Sequence, residues 1–140
     1  MKKKTIAILG STGSIGQSTL EIVKKSRVFK VELLAMNQNY LSLTRQIKYF
    51  KPSYVVISDK EIYTKVKKKY KNKKIIILNS LNNIQKYIKK IDVSVSAIPG
   101  IAGLESTILF TKISKKILLA NKEAIICGWS LIERQLRKYK

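Results

Sequence analysis

The sequence has no histidine, one cysteine, two prolines and only 8 acidic residues in 140. Without histidine, Cys127 has no imidazole partner for thiolate catalysis, and a lone cysteine forms no internal disulfide. The acids are too few and too scattered for a metal site, with Glu105 and Glu123 standing apart from other carboxylates. No uninterrupted apolar run approaches the roughly 20 residues that span a bilayer. The basic start Met1-Lys2-Lys3-Lys4 resembles the beginning of a signal peptide, but the apolar stretch behind it breaks at Gly10, too soon for an h-region. These absences lead to the expectation of a cytoplasmic protein with no membrane partner.

The shortage of acids leaves a formal net charge of +21, from 29 basic against 8 acidic residues. Such a balance ordinarily points to nucleic acid. Position argues against it. Lys2 to Lys4, Lys30, Lys51, Lys73-Lys74, Lys89-Lys90 and Lys115-Lys116 each precede an expected strand, which in an alternating α/β chain is where helices end. A cation there is favoured by the helix dipole by about 0.3–1 kcal/mol. Asp59, Glu61, Glu105 and Glu123 are expected near the opposite helix ends. The densest run, Lys65 to Lys74, includes Tyr70 and keeps a basic nucleic-acid-binding module open as an alternative.

Short apolar runs alternate with amphipathic segments along the whole length, which suits one domain spanning 1–140. Strands are expected near 5–9, 31–36, 53–57, 75–78, 93–98 and 116–120, each apolar enough to be buried on both faces. The first helix is expected from Ser14 with Ile15, Leu20, Ile22 and Val23 as its apolar stripe, the second over 40–50, and the third from a capping Asp59. A fourth is expected from Ser80 with Leu81, Ile84, Ile88 and Ile91, and a last with Ile125, Trp129, Ile132 and Leu136 facing the core. Strand and helix alternating in this way predict an α/β, doubly wound parallel sheet of Rossmann-like type.

Ligands of such sheets bind at the carboxyl ends of the strands, so four loops should converge: 10–16, 37–39, 97–103 and 120–123. The first, Gly10-Ser11-Thr12-Gly13-Ser14-Ile15-Gly16, joins a strand to a helix and reads as a phosphate cradle. Gly10 permits the tight turn, Gly13 removes the Cβ that would hold backbone N–H groups off a pyrophosphate, and Gly16 lets helix and strand approach. The first helical turn adds unsatisfied N–H groups at the positive end of the dipole, and Thr12 and Ser14 add hydroxyls. The spacing G-x-x-G-x-x-G differs from the commonest dinucleotide fingerprint, and a plain strand-to-helix turn gives the same pattern.

The second strand ends Ala35-Met36-Asn37-Gln38-Asn39 with no acid at its tip, and Glu32 lies too early to take that place. An acid there accepts from the ribose of NAD, so its absence favours NADP, with Asn37, Gln38, Asn39 and Arg45 as candidate donors. An ordinary polar turn reads the same way. Lys122, between Asn121 and Glu123 at a helix start, is unfavourable for the dipole and calls for an anionic partner, either Glu123 or a ligand. A semialdehyde-dehydrogenase type of cofactor domain is a further alternative, and it would need Cys127 as nucleophile.

Three segments together resemble the 1-deoxy-D-xylulose-5-phosphate reductoisomerase family: Ile8 to Leu20, Ala97-Ile98-Pro99-Gly100-Ile101-Ala102-Gly103-Leu104, and Ile117-Leu118-Leu119-Ala120-Asn121-Lys122-Glu123. The resemblance covers essentially the whole chain. It implies NADPH and, for the full-length enzyme, a divalent metal (Mg or Mn) whose ligands are missing here. It also implies rearrangement and reduction of 1-deoxy-D-xylulose 5-phosphate to 2-C-methyl-D-erythritol 4-phosphate for isoprenoid synthesis. Its members are nearly three times this length and are expected to be homodimers, so the chain corresponds to the NADPH-binding part, a fragment inactive alone. By the same resemblance Gly10, Ser11, Thr12, Gly13, Ser14 and Ile15 hold the pyrophosphate side, and Asn37, Gln38 and Asn39 the adenosine ribose and its phosphate. Asn121 and Glu123 contact the cofactor further along, and Lys122 faces the substrate. Asn37 and Gln38 depart from the glycine and basic residue common in the family.

Overall fold

A computed structural model describes residues 1–139. Six parallel strands, β1 (Lys4–Leu9), β2 (Phe29–Met36), β3 (Tyr54–Ile57), β4 (Ile76–Leu78), β5 (Ile91–Ser96) and β6 (Ser114–Leu119), form one sheet in the order β4-β3-β2-β1-β5-β6. Successive strands step outward from β1 to β4, then the chain returns to lay β5 on the other side of β1. The order therefore switches between β1 and β5, where a doubly wound sheet opens its ligand crevice.

Helices α1 (Ser14–Lys25), α2 (Tyr40–Phe50) and α3 (Lys60–Lys69) cover one face. They bury Leu20, Val23, Leu43, Ile47 and Val66 against Ile6, Ile8, Val31, Leu34, Val55 and Ile57. The other face buries Ala7, Leu9, Leu33, Ala35 and Val56 beneath Ile84, Ile88 and Phe110, the last from α4 (Gly100–Thr111). α5 (Lys122–Tyr139) packs on α4 through Ala124 and Ile132 against Leu104. The faces alternate residue by residue in β1, as strand geometry requires. In β2 the register skips Glu32, since Ile6 pairs Val31 and Ala7 pairs Leu33. This bulge puts Val31 and Leu34 on one face and leaves Glu32 bonded to Lys30 at 3.1 Å, four residues short of the strand's tip.

Four sequence expectations are corrected. The helix expected from Ser80 is a single 3-10 turn, Ile84–Lys86, and Ile91 opens β5. Asn83 adopts the left-handed conformation (φ 65°) and the Ser80 hydroxyl accepts from the Asn82 N–H, so the backbone turns locally instead of winding. Its apolar spacing served a crossover that lays Ile84 and Ile88 on the sheet. In α1, Leu20 and Val23 are core while Ile15 and Ile22 are exposed. In α5 the expected Ile132 and Leu136 do face the core, but the buried line continues through Ala124 and Gly128, with Ile125 and Trp129 exposed. Small residues win there because a Cβ on Gly128 would strike the Leu104 side chain. Finally, β4 and β6 are edge strands, with Ile76 and Leu118 exposed, rather than buried on both faces.

Of the lysines expected at helix ends, Lys51 is the C-cap of α2, but Lys4, Lys30, Lys115 and Lys116 lie within strands. The cations in last helical turns are instead Lys24 and Lys25 of α1, Lys48 of α2, Lys67 to Lys69 of α3, and Arg137 and Lys138 of α5. Asp59 caps α3 by accepting from the Ile62 N–H at 2.9 Å, and Glu61 and Glu123 lie in first turns. Glu105 lies in the middle of α4 instead.

Candidate nucleotide site

The four loops do converge. Beyond the strand ends the ladder continues, Gly10 N–H donating to Ala35 O (2.8 Å), Ala97 N–H to Leu9 O (2.8 Å), Ala120 N–H to Ser96 O (2.9 Å) and Ser58 N–H to Met36 O (3.1 Å). Loops 10–16, 37–39, 97–103 and 120–123 therefore leave adjacent strands along one edge of the sheet.

Three glycines of the first loop have different reasons to be glycine. Gly10 has φ 89°, and a Cβ on it would lie 2.7 Å from the Ala97 carbonyl oxygen, so it permits the β1 and β5 loops to touch. Gly16 is buried, and a Cβ on it would run into the Gly10 carbonyl and the Ser11 backbone. Gly13 is different. Its backbone is extended (φ −74°, ψ 171°), and an added Cβ would meet only Gly10 O at an ordinary 3.5 Å. Nothing within the described residues demands a glycine there, and the missing Cβ leaves the backbone open to close approach.

The loop's own hydrogen bonds leave a defined set of donors. Gly10 and Ser11 N–H both go to Ala35 O, Gly13 N–H goes to Gly10 O at 3.2 Å, and Gln17 N–H goes to Gly13 O at 2.9 Å. Among the described residues, the N–H groups of Thr12, Ser14, Ile15 and Gly16 have no intramolecular acceptor. Helix α1 has no side-chain cap and no acid in its first turn. An uncapped helix start with four unspent N–H groups at the dipole's positive end is suited to an anion. Gly13, Ser14 and Ile15 are exposed and Thr12 half-buried around it, and the exposed Ile15 offers an apolar contact at its rim.

Ser11 is the exception among the residues expected to contact a cofactor. It is 0% exposed and lies beneath the loop, so its side chain forms the floor of the cradle rather than its lining. Asn121 is likewise 3% exposed. Its Nδ2 donates to Ile98 O (2.6 Å) and Gly100 O (3.3 Å), and its Oδ1 accepts from the Ala124 N–H (3.2 Å). One side chain thus ties the β5 loop to the start of α5. Gly103 makes room for it, since a Cβ there would overlap Asn121 Nδ2 and Ile98 O.

Lys122 is exposed and Glu123 half-exposed at the start of α5. The ion pairs among the described residues are Lys30–Glu32, Asp92–Lys115 and Glu133–Arg137, so Lys122 does not find its anion in Glu123. Asn37, Gln38 and Asn39 are all exposed at the tip of β2. Asn39 caps α2 through the Ser42 N–H (3.0 Å), and Gln38 Nε2 reaches Asp59 Oδ2 at 3.5 Å. Arg45 lies along α2, lining the grooves to either side.

Two glutamines were not singled out from sequence. Gln17 Nε2 donates to Thr12 O at 2.7 Å, and Gln46 Nε2, from the buried face of α2, donates to Ser11 O at 2.8 Å. The available signal was a polar residue among the apolar positions Leu43, Ile47 and Phe50. Among the described residues no three of His, Cys, Asp and Glu come together, so the side chains present do not fit a divalent metal.

A profile of the 1-deoxy-D-xylulose 5-phosphate reductoisomerase family matches residues 6–128. The chain belongs to this family. A reductoisomerase from Pelagibacter ubique is 47% identical over 98% of this chain and 36% of its own length. One from Buchnera aphidicola is 43% identical over 89% of this chain and 33% of its own. Among solved structures, the Zymomonas mobilis reductoisomerase in complex with NADPH superposes with a TM-score of 0.88, at 27% identity, over 99% of this chain and 37% of that one. A reductoisomerase complex with NADPH, fosmidomycin and magnesium gives a TM-score of 0.87 at 30% identity, over 97% and 34%. The chain spans about a third of the length of the relatives it matches. No helix among the described residues is long and apolar enough to cross a membrane.

Proposed function

We propose that the chain is the NADPH-binding part of a 1-deoxy-D-xylulose-5-phosphate reductoisomerase, which isomerises and reduces 1-deoxy-D-xylulose 5-phosphate to 2-C-methyl-D-erythritol 4-phosphate. The observation that carries the reading is Gly13, a glycine free of internal constraint beside four unspent N–H groups. The pyrophosphate accepts from Thr12, Ser14, Ile15 and Gly16 N–H, with Gly10 shaping the turn and Ser11 its floor. Asn37, Gln38 and Asn39 hold the adenosine ribose and its 2′-phosphate at the tip of β2. NADPH supplies a hydride when bound. Asn121 is a positioning residue for the loops that flank the nicotinamide end, Glu123 faces the cofactor, and Lys122 carries the charge that meets the substrate's phosphate.

The family's divalent metal has no fit among the described residues, and the chain by itself binds cofactor without turnover. The full-length enzyme acts as a cytoplasmic homodimer. The test is a thermal shift: NADPH raises the melting temperature more than NADH at equal concentration, and no NADPH is oxidised when substrate and Mg are added to this chain. Equal or absent shifts with both nucleotides refute the cofactor assignment.

A further inference from the structure

We infer that Gln46 is a positioning residue for the phosphate-binding donors, acting on them from helix α2. This rests on the cofactor reading above. Gln46 is 7% exposed, and its Nε2 donates to Ser11 O at 2.8 Å across 35 residues of sequence. In a trans peptide the carbonyl and the next N–H point in opposite directions. Pulling the Ser11 carbonyl toward α2 therefore turns the Thr12 N–H away from α2, and that N–H is one of the four without an internal acceptor. The neighbouring peptide is set separately, because Gln17 holds Thr12 O and the Gly13 N–H is spent on Gly10 O. The peptide that Gln46 holds is thus one of those whose donor is left for a ligand.

Gln46 supplies the Ser11 carbonyl with its donor, but the rest of the amide is a cost to stability. Gln46 Oε1 is buried with no partner, and Ser11 Oγ, on the residue it contacts, is also buried and unpartnered. An apolar side chain at 46, among Leu43 and Ile47, would remove the first of these costs but leave the Ser11 carbonyl without its donor. Besides that bond, the amide fixes the direction of the loop's carbonyl.

The variant is Gln46→Met, similar in volume and lacking the donor. It is expected to melt slightly below the unsubstituted chain, because the Ser11 carbonyl loses its donor, while NADPH binds about tenfold more weakly by calorimetry. Adenosine 2′-monophosphate, which has no pyrophosphate, is expected to bind both proteins equally. In the unliganded protein the Thr12 amide resonance should move and the Gly13 resonance stay. If Gln46→Met fails to fold, Gln46→Glu, which keeps the length and presents an acceptor to the carbonyl, should give the same selective loss. Unchanged NADPH affinity in a folded variant, or equal weakening of both ligands, overturns the inference and leaves the cofactor reading intact. Failure of the unsubstituted chain to bind either NADPH or inorganic pyrophosphate overturns both.

Discussion

The two ends of the β1 and β5 strands handle their polar groups in opposite ways. At the amino end, Asp92 Oδ2 accepts from Thr5 N–H (2.8 Å) and Thr5 Oγ1 (3.1 Å), Thr5 Oγ1 accepts from Asp92 N–H (3.1 Å), and Lys115 closes the cluster on Asp92 Oδ1. Thr5 N–H, Thr5 Oγ1 and Asp92 N–H each have an acceptor within the chain, and β1, β5 and β6 are tied together. At the carboxyl end, four N–H groups around Gly13 are left with none. Cations follow the same division: Arg45, Lys48, Lys51, Lys69, Lys73 and Lys74 line a groove of about 560 Å3 by the helix ends remote from the cradle. Lys65 and Lys69 spend part of their charge over the Tyr40 ring, at 4.1 and 5.5 Å. The satisfied end is a structural clasp, and the unsatisfied end leaves donors open to a ligand.

The comparison breaks most severely at Gly16, where the open end depends on close backbone approach. Gly16→Ala should cost more than about 3 kcal/mol, because the obstructing atoms are backbone and cannot swing aside. Urea denaturation measures it, and a loss within experimental error would mean the α1 start is not packed as described. Next is Gly13→Asp, which should leave the unliganded melting temperature nearly unchanged but remove the stabilisation by NADPH. At a hundredfold excess over Kd that stabilisation is about 2.7 kcal/mol. A variant that still responds to NADPH would move the phosphate elsewhere.

Asn121→Ala comes third, at about 2 kcal/mol, from loss of the α5 cap and of the bonds to Ile98 and Gly100. Chemical denaturation checks the cost, and NADPH affinity should fall less than in Gly13→Asp. The smallest effect is at the closed end. The Lys115 ammonium and then the Thr5 N–H hold the Asp92 carboxyl at about 2, below its ordinary 3.8. A carboxyl lowered in the folded state stabilises fully above its unfolded value and loses that contribution as pH falls through its folded value. Melting temperature should therefore drop between about pH 4 and pH 2 in the unsubstituted chain. Asp92→Asn should start a few degrees lower at pH 7, lack that part of the drop, and bind NADPH normally.

How far the chain could be read in advance follows from the kind of pattern each part used. Strand positions were legible because runs such as Ile6 to Leu9 and Val31 to Met36 combine apolarity with flanking turn residues, and Asn39 and Asp59 announced their helix starts as caps. Helix faces were less so. Leu81, Ile84, Ile88 and Ile91 have helical spacing but span a turn and a strand, since periodicity does not say whether the chain has room to wind. Gly128 hid the true face of α5, because a glycine that makes helix contact carries no hydrophobic signal. The cradle itself was visible as a motif, but its members were not separable into lining and floor. Ser11 and Thr12 are chemically alike and differ only in which side of the loop they face.

The sequence by itself determined the alternating α/β order, the glycine-rich first loop and the family, because these depend on local spacing and on residue types read in order. The tertiary structure alone decided that Gly13 is the glycine left open to a ligand while Gly10 and Gly16 serve packing, that Asn121 is spent on backbone, and that Gln46 reaches the loop. Those outcomes depend on which atoms from distant segments arrive within contact distance, and linear spacing carries no record of that.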